Sequence, residues 1–291
     1  MWDETPLFDE LWDYSQPKET AVRLSALLPL AEAGADRSYH VQLLTQLART
    51  QSLQSRFAAA HQWLDQAAAL LTPDMTIARI RYLLERGRTY NSARQPEQAT
   101  PLFRQAWEMA AAAQIFFYAV DAAHMMGIVE PRLERQLTWH ETALTWAEQS
   151  RNLRTRQWLG ALYNNIGWSY HGAGQYTEAL VMFQKALHWR QTEADPRQEG
   201  PMRIARWCVA RALRSLGRVE EALAQQQSLL ADGSSSDGYV YEEVGECLLA
   251  LGQAEAARPF FQQAYVLLSP NAWLRAHESE RLTRLHTLSQ D

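Results

Sequence analysis

The chain has 291 residues, 47% hydrophobic and 21% charged, with only 13 glycines and 11 prolines; it is too apolar for a disordered chain, too poor in glycine for a strand-rich one, and longer than the usual single globular domain. Its net charge of −5 is spread over both signs without a long basic run, which argues against a surface that neutralises many phosphates and so against nucleic acid as a main partner. No apolar stretch reaches the roughly 18 to 20 residues that span a bilayer, and the acidic start "MWDETPLFDELWDYS" lacks the basic and then apolar order of a secretory signal, so no membrane partner and a cytoplasmic location are expected.

In chain order, a short helix is predicted around Pro6 to Tyr14, followed by one amphipathic helix over residues 18–33, "KETAVRLSALLPLAEA". Residues 1–40 thus form an N-terminal cap. Beyond them the chain repeats itself. With Gly167 as phase marker, Tyr170, Gly174, Ala179, Phe183 and Ala186 follow at fixed offsets, and Gly245, Leu248, Gly252, Ala257, Phe261 and Ala264 reproduce them with Leu in place of Tyr. Gly87, Tyr90, Ala99, Phe103 and Ala106 make a third match, Arg94 taking the place of the turn glycine. Weaker copies are marked by Ala48, Ala60, Leu64 and Ala67, and by Ala210, Leu213, Gly217, Ala222 and Leu229 with Gln226 at the aromatic position. The poorest has His124, Pro131, Gln136, His140 and Ala143 in phase. The loops near 72–76, 191–200 and 231–238 join helices, the last being flexible by composition. Residues 278–289 put Leu282, Leu285 and Leu288 on one face and read as the helix of a C-terminal cap over 270–291.

The small and aromatic residues at these offsets resemble the tetratricopeptide repeat over roughly residues 41–269. The resemblance implies an all-α, right-handed superhelical solenoid of about six helix-turn-helix units, each with a helix A and a helix B, between N- and C-terminal capping helices. Small residues such as Gly167 and Ala179 let A and B approach closely, while Tyr170 and Phe183 fill the space between them. Stacked pairs leave a concave surface.

In that family ligands usually lie against helix A. Carried over in phase, the inner positions are Gln42, Thr45, Arg49 and Ser52; Arg81, Leu84, Arg88 and Asn91; Tyr118, Asp121, Met125 and Ile128; Ala161, Asn164, Trp168 and His171; Ile204, Trp207, Arg211 and Arg214; and Tyr239, Glu242, Glu246 and Leu249. Asn offers a donor and an acceptor to a peptide backbone, and Arg a planar fork for a carboxylate. Asn164, Asn165, Trp168, His171, Trp207, Arg211 and Arg214 therefore form a candidate clamp. The alternative is that the asparagine bonds a neighbouring helix, the indoles fill packing gaps and the arginines are solvated. Arg81, Arg88 and Asn91, with Asp121, Glu242 and Glu246 supplying acid, suit a peptide of mixed charge, or equally salt bridges between repeats.

Chemistry is poorly supported. Asp121, His124 and His140 are a conceivable metal set, though a buried histidine pair is the simpler reading. His171 has no Ser or Cys nucleophile or paired carboxylate in register, and the common phosphate, dinucleotide and zinc-protease motifs are missing. Cys208 and Cys247 read as buried free thiols. The expectation is a non-catalytic scaffold, with no cofactor or metal, that holds an extended peptide or protein segment in the groove. A self-associating adaptor is the rival reading, and a small-molecule sensor or enzyme with a pocket in the groove a third.

Overall fold

A computed structural model describes residues 8–193, 199–232 and 237–290. The predicted loops at 191–200 and 231–238 thus fall partly outside the described residues. All regular structure among the described residues is helical. The helices are α1 (Phe8–Leu11), α2 (Pro17–Ser25), α3 (Leu28–Ala33), α4 (Arg37–Leu53), α5 (Phe57–Leu70), α6 (Thr76–Ser92), α7 (Pro96–Ala112), α8 (Phe116–Val129), α9 (Leu133–Gln149), α10 (Leu153–Arg156), α11 (Leu159–Gly172), α12 (Tyr176–Glu193), α13 (Glu199–Ser215), α14 (Val219–Ala231), α15 (Gly238–Ala250), α16 (Ala254–Leu268), α17 (Ala272–His277) and α18 (Ser279–Gln290).

Two compact units divide the chain, Met1–Trp158 and Leu159–Asp291. Their boundary follows α10 and carries no Gly- or Pro-rich linker. Three helix pairs make up the repeats of the first unit, α4/α5, α6/α7 and α8/α9. The second unit has α11/α12, α13/α14 and α15/α16, and in each unit every pair packs on the next.

The phase glycines are explained by close approach. A methyl group on Gly87 would stand 2.5 Å from the Phe103 ring, on Gly167 2.5 Å from Phe183, and on Gly245 2.8 Å from Phe261. Each ring is almost wholly buried, so helix B drives an aromatic plane onto the bare backbone of helix A. In the third pair the bare backbone of Gly127 takes the His140 ring in the same way. The marker there is Gly127 rather than His124. The shift arises because Glu130, Pro131 and Arg132 join α8 to α9 without a left-handed residue, so the helices slide by about one turn relative to the other pairs.

The other A-to-B turns share one geometry. Gly174, Gly217 and Gly252 have φ of 75°, 77° and 73°, and Ser55 and Arg94 take φ of 58° and 60° at the matching places. The amide one residue later donates back across the turn, Gln175 to Tyr170 at 2.9 Å and Gln95 to Tyr90 at 2.9 Å, closing orphan carbonyls at the helix end.

The caps differ from expectation in detail. The single helix predicted over 18–33 is two helices, α2 and α3. Pro29, without an amide hydrogen, fits the first turn of a new helix and not the middle of an old one. Near the other end, α17 precedes the expected terminal helix, with Asn271 capping it through bonds to the amides of Trp273 and Leu274 at 2.9 and 3.2 Å. Leu282 and Leu285 of α18 are buried against Phe261 and Leu268 of α16.

Candidate functional site

In the first unit, the A helices α4, α6 and α8 line one cavity of about 430 Å³. Of the inner positions read from the repeat phase, Arg49, Arg81, Leu84, Arg88, Asn91, Tyr118, Asp121, Met125 and Ile128 all line it. Helical spacing puts these residues on the side of helix A turned away from helix B. Arg88 is the centre of its electrostatics. Its guanidinium donates to Glu85 at 2.6 Å and to Asp121 on the next A helix. Burial works against the Arg88 charge, but the carboxylates of Asp121 and Glu85 outweigh it and hold its pKa above the ordinary arginine value. Burial also raises the Asp121 carboxyl, with Arg88 opposing. Arg81 Nε donates to the Tyr118 hydroxyl at 2.6 Å and its guanidinium lies 5.1 Å from the Phe8 ring centre.

Several residues of this cavity escape the repeat phase. Glu85 lies beside the inner row, four residues after Arg81, and its charge was the available signal. Arg154, stacked 3.9 Å over Phe117, and Trp158 come from the α10 region, an insertion that a repeat period cannot reveal.

The second unit carries an aromatic row along α11, α13 and α15. Trp168 and Trp207 have ring centres 5.9 Å apart, and Trp207 and Tyr239 6.5 Å. Trp168 also meets Phe183 at 5.2 Å and His171 at 5.1 Å. The Trp207 indole donates to the Tyr239 carbonyl at 3.2 Å. Both tryptophans remain partly accessible, and Ile204 beside them is 56% exposed.

The polar members of the predicted clamp have partners within the fold. Asn164 Oδ1 accepts from the Cys208 thiol at 3.3 Å, and Asn165, its neighbour, is partly buried. His171 Nε2 is 2.9 Å from the Ser215 hydroxyl, and burial lowers its pKa. Arg211 donates to Glu243 at 2.6 Å, and Arg214 to the same carboxylate at 2.9 and 3.2 Å. Glu242 and Glu246, the acids at inner positions of α15, are met by Arg281 and Arg284 of α18. The capping helix thus supplies two of the charges on this face. Glu243 is the residue the sequence pattern missed: it sits one place off the inner register.

Elsewhere, His124 and His140 face each other with ring centres 5.7 Å apart. Burial depresses both, His124 to about 3 and His140 to about 4. Among the described residues, no group of three or more His, Cys, Asp or Glu is arranged to hold a metal ion. Cys208 and Cys247 are buried free thiols, and burial pushes both up to about 12. Among the described residues no helix is long and apolar enough to cross a membrane.

Paired helices, ring-on-glycine contacts and left-handed turns together define a helical-repeat protein. The family model described as "Tetratricopeptide repeat" matches residues 159–192, the α11/α12 pair. Among solved structures, a tetratricopeptide repeat protein from Parabacteroides merdae is similar over 98% of this chain and 99% of its own, with a TM-score of 0.55 and 17% identity. A signal transduction ATPase with a tetratricopeptide repeat sensor from Pyrococcus horikoshii is similar over 92% of this chain, with a TM-score of 0.65 and 13% identity. Only 41% of that larger protein is spanned. NprR, solved in complex with its cognate peptide NprX, is similar over 96% of this chain and 81% of its own, with a TM-score of 0.63 and 16% identity. No curated protein matches the sequence. Residues 159–192 thus carry a tetratricopeptide repeat, and the described residues have the fold of tetratricopeptide-repeat structures.

Proposed function

We propose that the chain is a non-catalytic binding module of the cytoplasm that holds an extended peptide or protein segment against its A-helix faces. The row of Trp168, Trp207 and Tyr239 carries the reading. Trp168 leans on Phe183 and both indoles pack against the core of this unit, yet each stays partly accessible. Partly accessible indoles beside an exposed isoleucine are the usual anchors of an interface. Arg211 and Arg214, held in a fixed fork by Glu243, and Asn164 and Asn165 supply polar grips at its edge. Arg81, Arg88, Asn91 and Asp121 offer a second such face in the first unit. The solved complex of NprR with a peptide supports the reading by showing what a similarly folded protein accommodates.

The test is affinity capture from the native cell with wild type and with a Trp207→Ala/Arg211→Ala double variant as bait. Loss of a specific partner from a variant with unchanged helicity and thermal unfolding is expected; an identical set of captured proteins would defeat the proposal.

A further inference from the structure

The first unit already has something on its A-helix face. Residues 1–14, "MWDETPLFDELWDY", contain five carboxylates and no basic side chain. Phe8 is only 7% exposed, stacked on Tyr39 at 4.8 Å and covered by the Arg81 guanidinium. Trp12, one helical turn later, donates its indole hydrogen to Gln46 on α4 at 2.9 Å. Tyr14 stacks on Trp12 at 4.7 Å and reaches the cavity rim. That cavity is lined by four arginines, at 49, 81, 88 and 154, against the two carboxylates Glu85 and Asp121.

Taking the peptide-binding reading as its basis, we infer that this face accepts an acidic peptide with aromatic residues one helical turn apart, and that residues 8–14 are a resident copy of such a ligand which an incoming peptide must displace. Two properties of the segment support displacement. Helix α1 is a single turn of four residues, well short of the length at which a helix is stable alone. Among the described residues its hold on the repeats rests on the buried Phe8 ring under Arg81, the partly buried Leu11 and Trp12, the Tyr14 ring at the cavity rim and one side-chain hydrogen bond to α4, a small contact at the low-stability end of the fold. Charge fixes the class of competitor. An arginine-rich wall favours carboxylates and disfavours a basic peptide, and guanidinium groups over rings reward an aromatic side chain beyond its apolar area.

The probe is a fluorescein-labelled peptide with the sequence of residues 2–15, titrated into the full-length chain and followed by fluorescence polarisation. The Phe8→Ala/Trp12→Ala chain should bind the probe at least ten-fold more tightly than wild type, because its own segment competes poorly. A probe with its acids replaced by Asn and Gln, or with both aromatics at the Phe8 and Trp12 positions replaced by Ala, should lose at least ten-fold. Hydrogen exchange supplies a second readout on wild type, needing no variant: saturating probe should accelerate exchange across residues 10–16. Equal affinity of the two chains, unchanged exchange, or equally tight binding of oligo-glutamate of the same length would overturn the inference. Should the second-unit variant lose its native partner while the probe fails to bind, this inference falls and the binding-module reading stands. Tight probe binding together with native capture unchanged in the second-unit variant would support the inference and count against the second-unit face alone.

Discussion

Arg211 and Arg214 of α13 converge on one carboxylate, and the shorter bond, Arg211 to Glu243, is 2.6 Å. Glu243 has 5% of its side chain exposed while the arginines keep 29% and 19%. Burial raises the Glu243 pKa even with Arg214 opposing, so the pair holds the fork in place more than it stabilises the fold. Glu243→Gln keeps the shape and removes the charge. Because both arginines can turn to solvent, we expect a loss of only about 1 kcal/mol in thermal unfolding. The freed guanidinium groups should raise capture of an acidic partner, measured by pull-down at fixed bait, and Arg211→Gln should lower it.

Gly167 and Phe183 test the repeat itself. A Cβ at position 167 would sit 2.5 Å from the Phe183 ring, and neither the ring, buried on every side, nor the helix backbone can give way freely. Gly167→Ala should therefore destabilise by about 1–3 kcal/mol through overpacking. Phe183→Ala, which opens a cavity, should lose about 3–5 kcal/mol. Denaturant midpoints with unchanged slope would check both.

That contact also explains how much of the molecule was legible in its sequence. A ring that must meet a glycine sixteen residues earlier leaves a fixed spacing, so helices A and B of most units could be placed from the chain alone. Nine inner positions of the first unit line one cavity for the same reason. What the spacing did not encode was the ends of the pairs. Gly127 replaced His124 as the marker because the joining turn lacks the left-handed residue of the others, and α10 with Arg154 lies outside any period. The clamp residues were legible by type and position, but their partners were not. Glu243, Ser215 and Cys208 reach them from neighbouring helices, and no property of Arg211, His171 or Asn164 names the residue opposite.

The turns make a further prediction. Ser55 and Gln114 hold φ of 58° and 54°, where a side chain meets the following carbonyl at about 1–2 kcal/mol. Glycine relieves this but gains freedom in the unfolded chain, an opposing effect of about 0.5–1 kcal/mol. Ser55→Gly and Gln114→Gly should thus each stabilise by up to about 1 kcal/mol. Gly174→Ala, at φ 75° with open space around its Cβ position, should go the other way by a similar amount. Calorimetric melting of the three variants side by side would decide it.

Gln226 occupies the place that Phe103, Phe183 and Phe261 fill in other units. It is fully buried, and neither amide atom has a hydrogen-bond partner among the described residues. Burying an unsatisfied amide opposes folding by about 1–3 kcal/mol. Gln226→Leu, of similar volume, should accordingly stabilise by at least about 1 kcal/mol, read as a rise in denaturant midpoint. No change would mean that the amide is solvated in solution.

The histidine pair contributes to the response to acid. His124 and His140 are 6% and 1% exposed, and their pKa values fall from 6.5 to about 3 and about 4, both first through burial, with His140 and Arg88 adding repulsion at His124. A histidine held below its unfolded pKa supports folding fully above pH 6.5. Below that, the unfolded chain takes up a proton that the folded chain refuses, and about 1.4 kcal/mol of stability is lost per histidine for each pH unit. The loss from His140 ends near pH 4 and that from His124 near pH 3, where the folded protein also protonates. His140→Phe restores the ring that other units use at this position and removes one of the two titrating groups. Its stability, followed by urea unfolding from pH 7 to pH 4.5, should fall less steeply than that of wild type, by about 1.4 kcal/mol per pH unit below pH 6.5. An unchanged slope would show that other groups, and not this pair, govern acid unfolding.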